Sequence, residues 1–379
     1  MPRDLADKNI IDLVFGTRPN IIKAAGLYAA WRETTHDWPF SLRLIDTGQH
    51  WDDTLSHNQR IALGLPEPAC NLGVGPMLEK QRHSSNTPPV ERETVIVRTQ
   101  DAYEHILQTA APSASIAIGD VNGSVGIARA AVKHLIPVFH LEAGLRGGSD
   151  AIAEEANRHE LDHICTYLWA PDDTAYANLQ AENISTAHIT ITGNIMIDAL
   201  RRFSSTKPQQ TSYILPREPV LVTLHRVENL ANPTRFDEIL TTISQIAQDH
   251  RVVWPLHPRT RSLLEQSVWS NETPGNICLV PALAYPDFMT LLRQAKLIIT
   301  DSGGILEECA YLGKRTVILR PRTERPHAMA HCGFCHSEPA DLIKQANLAL
   351  QSHPTPFRPP GWDGNTGLRM LQDITSRLF

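Results

Sequence analysis

The chain has 379 residues, 42% of them hydrophobic, and carries a formal net charge of −6 at pH 7. A chain of this length can bury the cores of two domains, and its scattered lysines and arginines offer no basic surface for nucleic acid or for a membrane. These properties argue against nucleic-acid or membrane-surface binding and favour a small-molecule partner.

The sequence shows no recognisable targeting segment, and its cysteine content is modest; both favour the cytoplasm. No apolar run reaches the roughly 18 residues that a membrane span needs, and the stretch 1–16 does not resemble a secretory leader. Six cysteines form no dense disulfide framework, which agrees with a reducing compartment. The segment 331–336, HCGFCH, could hold zinc or act as a dithiol, but a structural zinc site usually needs a second pair of ligands. We expect a loop with two ordinary thiols there, and no metal.

The first half of the chain alternates short β-branched runs with helix-compatible segments. The predicted strands are residues 10–15, 41–46, 114–118, 138–141 and 189–191. Such alternation predicts an α/β domain of parallel strands joined by helices. We expect this N-terminal domain to cover residues 1–203.

A polar, proline-bearing stretch at 201–219 is predicted to be a linker, and a second series of strands follows it. Its members are 220–223, 251–255, 277–280, 297–300 and 316–319. We expect a second α/β domain at 204–360 and a terminal helix within 361–379 that crosses back to the first domain. Open parallel sheets bind ligands at the carboxyl ends of their strands, so a cleft between the two domains is the expected site.

Polar residues follow the first two predicted strands. Gly16 permits a tight turn and places Arg18 at a helix N-terminus, where anions collect. Arg18 would then contact phosphate, although a surface arginine after a turn has the same pattern. Gln49 lies in the turn TGQH (47–50) and could line the floor of the pocket.

Acidic residues follow the later strands of this domain. Asp120 ends ASIAIGD, Glu142 and Arg146 lie in HLEAGLR, and Glu154 begins EEANR. Carboxylates that share one cleft raise one another's pKa, and a group tuned in this way suits proton transfer near neutral pH. The alternative is that EEANR is a solvated first helical turn with an i,i+3 ion pair.

The second domain has a comparable set. The stretch DSGG (301–304) would expose backbone N–H groups at a strand-to-helix corner, where a diphosphate can bind. Glu307 or Glu308, one turn further on, could accept hydrogen bonds from a ribose diol; a plain helix cap has the same pattern. His225 lies just past a strand, where it could donate to phosphate or transfer a proton, and Arg325 follows another strand.

Taken in chain order, these motifs resemble the UDP-N-acetylglucosamine 2-epimerase family, in its non-hydrolysing branch. The matching motifs are GTRPN, TGQH, GDVN, HLEAGLR, EEANR, ITGNIMIDAL, TLHRVEN, PLHPRTR, TDSGG with the following EE, and TERP. They extend from Gly16 to the WDG at 362–364. The resemblance implies the GT-B fold, in which two Rossmann-like domains face each other across a deep cleft.

The resemblance also implies a reaction. Members of the family interconvert UDP-GlcNAc and UDP-ManNAc: UDP leaves by anti elimination, which forms a 2-acetamidoglucal, and is added back while a proton reaches the other face of C2. The reaction needs an acid and a base on either side of C2 and stabilisation of the departing diphosphate. No cofactor is implied. The product would be an activated ManNAc-type sugar for surface polysaccharide, and we expect a homodimer.

Carried over residue by residue, the resemblance assigns roles to the candidates. The catalytic positions are Asp120, Glu142, Glu154 and His225. Which carboxylate faces which side of C2 stays open. The positions that bind the UDP-sugar are Arg18, Gln49, Arg146, Ser302, Gly303, Gly304, Glu308 and Arg325.

Three alternatives stay open. Residues 76–93 differ from the polar stretch that the family usually has on the sugar side of the cleft, so the substrate could be a modified UDP-sugar, such as a diacetamido uronic acid or a 6-deoxy-hexosamine. A GT-B glycosyltransferase would share the glycine-rich diphosphate loop but would not require Asp120, Glu142 and Glu154 together. A catalytically silent nucleotide-sugar-binding protein would bind UDP only.

Overall fold

The computed structural model describes residues 9–49, 57–75, 92–147, 153–203, 216–270, 273–320, 325–335 and 338–379. These residues divide into two compact units. The first comprises the described residues up to Arg201 together with Pro360–Phe379, and the second comprises those of Arg202–Pro359. Most of the divergent stretch 76–93 and most of the predicted linker lie outside the described residues.

Each unit is built on one parallel sheet. The strands of the first sheet are β1 (Asn9–Phe15), β2 (Phe40–Asp46), β3 (Cys70–Asn71), β4 (Ala114–Ile118), β5 (Val138–Leu141), β6 (Tyr167–Ala170) and β7 (Ile189–Ile191). Those of the second are β8 (Val220–Thr223), β9 (Val252–Leu256), β10 (Ile277–Pro281), β11 (Leu297–Thr300), β12 (Thr316–Ile318) and β13 (Gly333–Cys335).

The strand orders are β3-β2-β1-β4-β5-β6-β7 and β10-β9-β8-β11-β12-β13. Every pairing between described strands is parallel. In both sheets the order reverses beside the first strand of the unit, which is the doubly wound Rossmann arrangement. The predicted α/β fold with two Rossmann-like parallel sheets is therefore confirmed.

Helices connect the strands. In chain order they are α1 (Arg18–Glu33), α2 (His57–Ala62), α3 (Arg92–Thr109), α4 (Asn122–Lys133), α5 (Ala153–Ile164), α6 (Asp173–Ala181), α7 (Ile195–Phe203), α8 (Val227–Leu230), α9 (Pro233–Asp249), α10 (Pro258–Leu264), α11 (Tyr285–Gln294), α12 (Gly304–Leu312), α13 (Pro326–Cys332), α14 (Leu342–Gln351) and α15 (Thr366–Leu378). Short 3₁₀ helices span Thr186–His188 and Pro339–Asp341. Within the described ranges, none of these helices combines the length and the apolar character needed to cross a membrane.

The central strands are buried because helices cover both faces of each sheet. Ile11 and Leu13 of β1 and Ile298 and Ile299 of β11 are fully buried, as expected for parallel strands made of near-continuous apolar runs. Full burial of each such side chain stabilises the fold by about 1.5–3 kcal/mol. The packed core thus fixes the carboxyl ends of these strands, where the candidate residues lie.

The structure adds β3, β6 and β13 to the predicted strands. β6 reads YLWA and β13 reads GFC, and neither contains the β-branched residues that identified the other strands. β3 has only two residues at the edge of its sheet. The prediction of a loop at 331–336 is wrong, since α13 reaches Cys332 and the strand Gly333–Cys335 pairs with β12. His336 and the side chain of Cys335 lie outside the described residues.

The predicted C-terminal helix forms as α15 and packs within the first unit. Leu371 and Ile374 are fully buried, as their helical spacing predicts. Asp373 accepts hydrogen bonds from the indole N–H of Trp169 at 2.8 Å and from the hydroxyl of Thr190 at 2.9 Å. These two residues lie on β6 and β7, so polar contacts as well as apolar packing hold α15 against the sheet.

Candidate functional site

Asp120 and Glu142 follow neighbouring parallel strands. Asp120 lies two residues beyond β4, and Glu142 directly follows β5. Because parallel strands end at the same edge of a sheet, both residues lie at the edge where this kind of fold binds ligands. Glu142 has a φ of 72°, which it shares in sign with Leu135, Asn183 and Glu218; this left-handed conformation costs a non-glycine residue about 1–3 kcal/mol.

Lys23 is the ion-pair partner of Glu142. Its ammonium contacts Oε2 of Glu142, and both side chains are largely buried. A Cβ atom placed on Gly119 would lie 3.3 Å from Nζ of Lys23 and 3.7 Å from Oε2 of Glu142. The loop after β4 and this ion pair therefore meet at one point, and the ammonium compensates the buried carboxylate charge.

One face of α5 is directed toward the end of β4. Glu155, Arg158 and Asp162 recur at spacings of three and four residues, which places them on one side of the helix. Arg158 donates to Asp120 at 2.5 Å and to Glu155 at 2.6 Å, and Glu155 accepts from the backbone N–H of Gly147 at 3.0 Å. The i,i+3 ion pair considered for EEANR thus exists, but it is buried and bound to Asp120 instead of solvated.

Glu154 differs from its neighbour Glu155. It lies partly buried in the first turn of α5, and it has no hydrogen bond or ion pair to any residue that the structure describes. In the same helix Asn157 donates to the carbonyl of Asp120 at 2.7 Å, which fixes the loop after β4. The two carboxylates of this motif therefore have different surroundings, and the catalytic role of Glu154 stays a prediction.

Asp162 connects the segments on either side of Glu142. It accepts a hydrogen bond from Nδ1 of His140 at 2.7 Å and pairs with Arg146 at 2.8 Å. Burial alone would raise the pKa of Asp162, but the contacts with His140 and Arg146 lower it below its ordinary value. The other ring nitrogen of His140 lies 3.1 Å from the carbonyl oxygen of Gly119. One buried carboxylate therefore holds β5 and the loop after it in place.

The other residues of the first unit that are predicted to bind the UDP-sugar differ in their surroundings. Arg146 also donates to Glu182 at 2.7 and 2.8 Å, so much of its guanidinium faces carboxylates of its own unit. Arg18 begins α1 and is partly buried. Gln49 follows β2, and its Oε1 atom is buried without a hydrogen-bond partner among the described residues. The roles of these three residues in binding the UDP-sugar stay predictions.

In the second unit, His225 and Asp301 follow β8 and β11, which pair with each other. Nδ1 of His225 lies 3.2 Å from Oδ1 of Asp301. The other oxygen of this carboxylate, Oδ2, accepts from the N–H of Arg226 at 3.0 Å and from the amide of Asn229 at 3.1 Å. Burial alone would raise the pKa of Asp301, but these donors, with His225 first among them, lower it below its ordinary value. The His225 side chain is 43% exposed, so its ring is anchored on one side and accessible on the other.

The DSGG corner leads directly into α12. The helix begins at Gly304, with Gly303 as its N-cap and without a side-chain cap. The backbone N–H of Ser302 donates to the hydroxyl of Thr300 at 3.0 Å, so this N–H is already hydrogen-bonded within the loop. Apart from adjacent backbone, the nearest atom to a Cβ placed on Gly304 would be Oγ of Ser302, 4.0 Å away. Space therefore adjoins the first residue of α12, at the helix end that favours anions.

The two glutamates of α12 have different partners. Glu307 forms an ion pair with Arg325 at 2.6 Å. Glu308 accepts a hydrogen bond from the hydroxyl of Tyr285 at 2.5 Å. All four residues are buried. The structure thus separates the two candidates for the ribose contact, and Arg325, predicted to bind the substrate, contacts Glu307 within its own unit.

Several partners of the candidate residues escaped sequence analysis. Lys23 is the partner of Glu142, Asp162 that of Arg146, Tyr285 that of Glu308 and Asp301 that of His225. Each contact joins distant parts of the chain, for example across 119 residues between Lys23 and Glu142, so no local pattern reveals it. A lysine within the apolar run Ile21-Ile22-Lys23-Ala24 of α1 was the available signal, because a buried lysine needs a partner.

Among the residues that the structure describes, no group of three or more His, Cys, Asp and Glu side chains is arranged to hold a metal ion.

Comparison with known proteins identifies the family. The family model described as UDP-N-acetylglucosamine 2-epimerase matches residues 32–375. The chain is 30% identical over 378 residues to the UDP-N-acetylglucosamine 2-epimerase of Methanocaldococcus jannaschii, with 96% of this chain and 98% of that protein covered. It is also 30% identical over 314 residues to the UDP-2,3-diacetamido-2,3-dideoxy-D-glucuronate 2-epimerase of Pseudomonas aeruginosa, with 82% and 83% covered.

A solved structure agrees with these relatives. The crystal structure of the M. jannaschii UDP-GlcNAc 2-epimerase in complex with UDP-GlcNAc and UDP superposes with a TM-score of 0.81 at 29% identity, and the match covers 97% of this chain and 99% of that one. The predicted GT-B fold and the predicted family are therefore both confirmed. The chain belongs to the UDP-N-acetylglucosamine 2-epimerase family.

Proposed function

We propose that this protein is a C2 epimerase of UDP-sugars that interconverts UDP-GlcNAc and UDP-ManNAc. A base removes the proton from C2, the C1–O bond breaks with its electron pair leaving on UDP, and a C1=C2 double bond forms. UDP then adds back to C1 while an acid delivers a proton to the opposite face of C2. Membership of the family supports this reaction, and so does a set of carboxylates at the strand ends of the first unit.

The arrangement around Glu142 carries the proposal. Glu142 is held in a strained conformation at the end of β5 and is paired with Lys23. A fixed, buried carboxylate is suited to proton transfer because no reorganisation is needed when the substrate arrives. Asp120, at the end of the adjacent strand, and Glu154, in the first turn of α5, supply further carboxylates.

The second unit would hold the nucleotide. His225 is oriented by Asp301, and Gly303 and Gly304 open α12 at an end that favours the negative charge of a diphosphate. Glu308, one turn into the same helix, is placed to accept hydrogen bonds from the ribose hydroxyls. Stabilising the departing UDP in this way is the second requirement of the elimination.

The test is incubation of the protein with UDP-GlcNAc in D₂O without any acceptor. Epimerisation through loss of the C2 proton predicts UDP-ManNAc with deuterium at C2, which NMR and mass spectrometry detect. Transfer of the sugar to an acceptor without deuterium uptake would instead identify a glycosyltransferase, and binding of UDP without either reaction would identify a silent binding protein.

A matched pair of variants makes the test specific. Glu154→Gln should abolish deuterium uptake, because it removes a carboxylate that no described residue engages. Glu160→Gln makes the same change at a later position of α5, where the carboxylate pairs with Arg92 and Arg129. It should retain exchange, and equal loss in both variants would refute the role given to Glu154.

A second substrate class is supported by one relative. The P. aeruginosa protein, 30% identical to this chain, is named for a diacetamido-dideoxy uronic acid. The same deuterium assay, run with that UDP-sugar beside UDP-GlcNAc, decides between the two. Faster labelling of the uronic acid derivative would assign this chain to the modified sugar.

A further inference from the structure

Tyr285 and Glu308 form a buried pair in the second unit. The hydroxyl of Tyr285 donates to Oε1 of Glu308 at 2.5 Å, within the range of strong bonds between a hydroxyl and a carboxylate. Each residue is 2% exposed. The pair joins the first residue of α11 to the second turn of α12.

The backbone around this pair restricts both side chains. Pro286 follows Tyr285 in the first turn of α11, where its fixed φ suits a helix start. Leu306 and Cys309 on α12 are fully buried beside Glu308. A phenol has one donor, which lies near the plane of its ring, so the bond limits the rotation of the Glu308 carboxylate. A carboxylate with little freedom loses little entropy when a ligand binds.

We infer that Tyr285 is a positioning residue for recognition of the ribose: it fixes the Glu308 carboxylate in the orientation that accepts hydrogen bonds from the ribose diol of UDP. The inference rests on the proposed function, in which Glu308 contacts the ribose. It assigns to Tyr285 a selectivity for ribonucleotides over nucleotides without the diol. A purely structural Tyr285 would only satisfy a buried charge and would affect all ligands equally.

The experiment measures the affinity of two ligands by calorimetry. One is UDP, and the other is the analogue that lacks both ribose hydroxyls. Tyr285→Phe keeps the ring and removes the donor, so it should weaken UDP binding about tenfold, in line with loss of one hydrogen bond to a charged group. The affinity for the analogue should stay within about twofold of wild type, because that ligand makes no contact with Glu308.

Tyr103→Phe is the matched control. Its hydroxyl also donates to a buried carboxylate, Oδ2 of Asp12 at 2.7 Å, but in the first unit. This variant should leave the ratio of the two affinities unchanged. If Tyr285→Phe folds poorly, Glu308→Gln tests the premise instead, because it removes the charge that the diol recognises while its amide oxygen can still accept from Tyr285. An unchanged ratio of the two affinities in that variant would show that Glu308 does not contact the ribose and would overturn the positioning role.

The possible outcomes distinguish the positioning role of Tyr285 from the proposed epimerase activity. Equal weakening of both ligands by Tyr285→Phe, or no weakening of UDP, overturns the positioning role. A second outcome is that Tyr285→Phe weakens UDP binding selectively while wild-type protein introduces no deuterium at C2 of the UDP-sugar. That result would support the positioning role and refute the epimerase proposal. Failure of wild-type protein to bind UDP refutes both.

Discussion

Nδ1 of His225 lies 3.2 Å from Oδ1 of Asp301, so a partly exposed imidazole ring is paired with a fully buried carboxylate. An ionised carboxylate only accepts hydrogen bonds, so Nδ1 carries the proton, and in the proposed function Nε2 is the atom that would face the ligand. The backbone N–H groups of His225 and Arg226 also donate to Asp301. Asp301 is therefore a positioning residue that fixes both the main chain and the tautomer of His225.

Asp301→Asn should disturb the tautomer of His225. The amide offers one acceptor and one donor group in place of two acceptors, so it cannot satisfy the same set of donors. We expect the ¹⁵N signal of Nδ1 to move and the rate of C2 exchange to fall about 100-fold, the lower range for loss of one acid–base group. Asp249→Asn, at the end of α9, is the control and should change neither. An unaltered His225 spectrum in the Asp301 variant would contradict the positioning role.

Gly304→Ala tests whether the diphosphate lies against the start of α12. The added methyl group would have its nearest atom outside the adjacent backbone 4.0 Å away, so the fold should tolerate it. A phosphate at this helix end would collide with it, and we expect UDP affinity to fall at least about tenfold while the melting temperature is maintained. Gly275→Ala, where a Cβ would meet nothing within 4 Å, should leave both quantities unchanged. Equal UDP affinity in the two variants would place the diphosphate elsewhere.

The sequence predicted the strands and the motifs better than the contacts between them. Runs such as residues 297–300 are short, apolar and β-branched, and this composition predicts a buried parallel strand. The order of strands and the partners of polar side chains depend on the whole fold. Thus Glu142 was visible at a strand end, whereas its partner Lys23 was not. Likewise the residue pattern did not separate Glu307 from Glu308, and only the resemblance selected Glu308; the structure gives them different partners, Arg325 and Tyr285.

Lys23→Met should shift the pH dependence of exchange. The variant removes the cation that contacts Glu142, and a buried carboxylate without a nearby positive charge is harder to ionise. If the ionised Glu142 is required, the acidic limb of the rate profile moves to higher pH, and activity at low pH falls most. Lys133→Met removes an exposed lysine that pairs with Glu104 and should leave the profile in place. A uniform drop at all pH values would show that Lys23 acts otherwise.

Asp162 should make the first unit sensitive to acid. Its pKa in the folded protein lies below the ordinary value of 3.8, so the folded state favours the carboxylate more than the unfolded state does. This contribution to stability is present above that value and is lost as the pH falls through the lower, folded-state pKa. In urea titrations from pH 7 to pH 3, Asp162→Asn should be less stable at neutral pH and show a shallower loss in acid. If the unfolding free energies of wild type and variant fell in parallel as the pH decreased, the contribution of Asp162 to acid sensitivity would be refuted.

Asp373→Ala should loosen the C-terminal helix. The carboxylate accepts from Trp169 and Thr190 and pairs with Arg377 at 2.9 Å. Removing it leaves buried donors without their acceptor, and we expect the free energy of unfolding of the first unit to fall by about 2–3 kcal/mol. Asp363→Ala is the matched change just before α15, where the side chain is 48% exposed and pairs with Arg369. Such an exposed pair contributes at most about 1 kcal/mol. Urea unfolding followed by tryptophan fluorescence should therefore show a larger loss of unfolding free energy for Asp373→Ala than for Asp363→Ala. The reverse order would refute the anchoring role of Asp373.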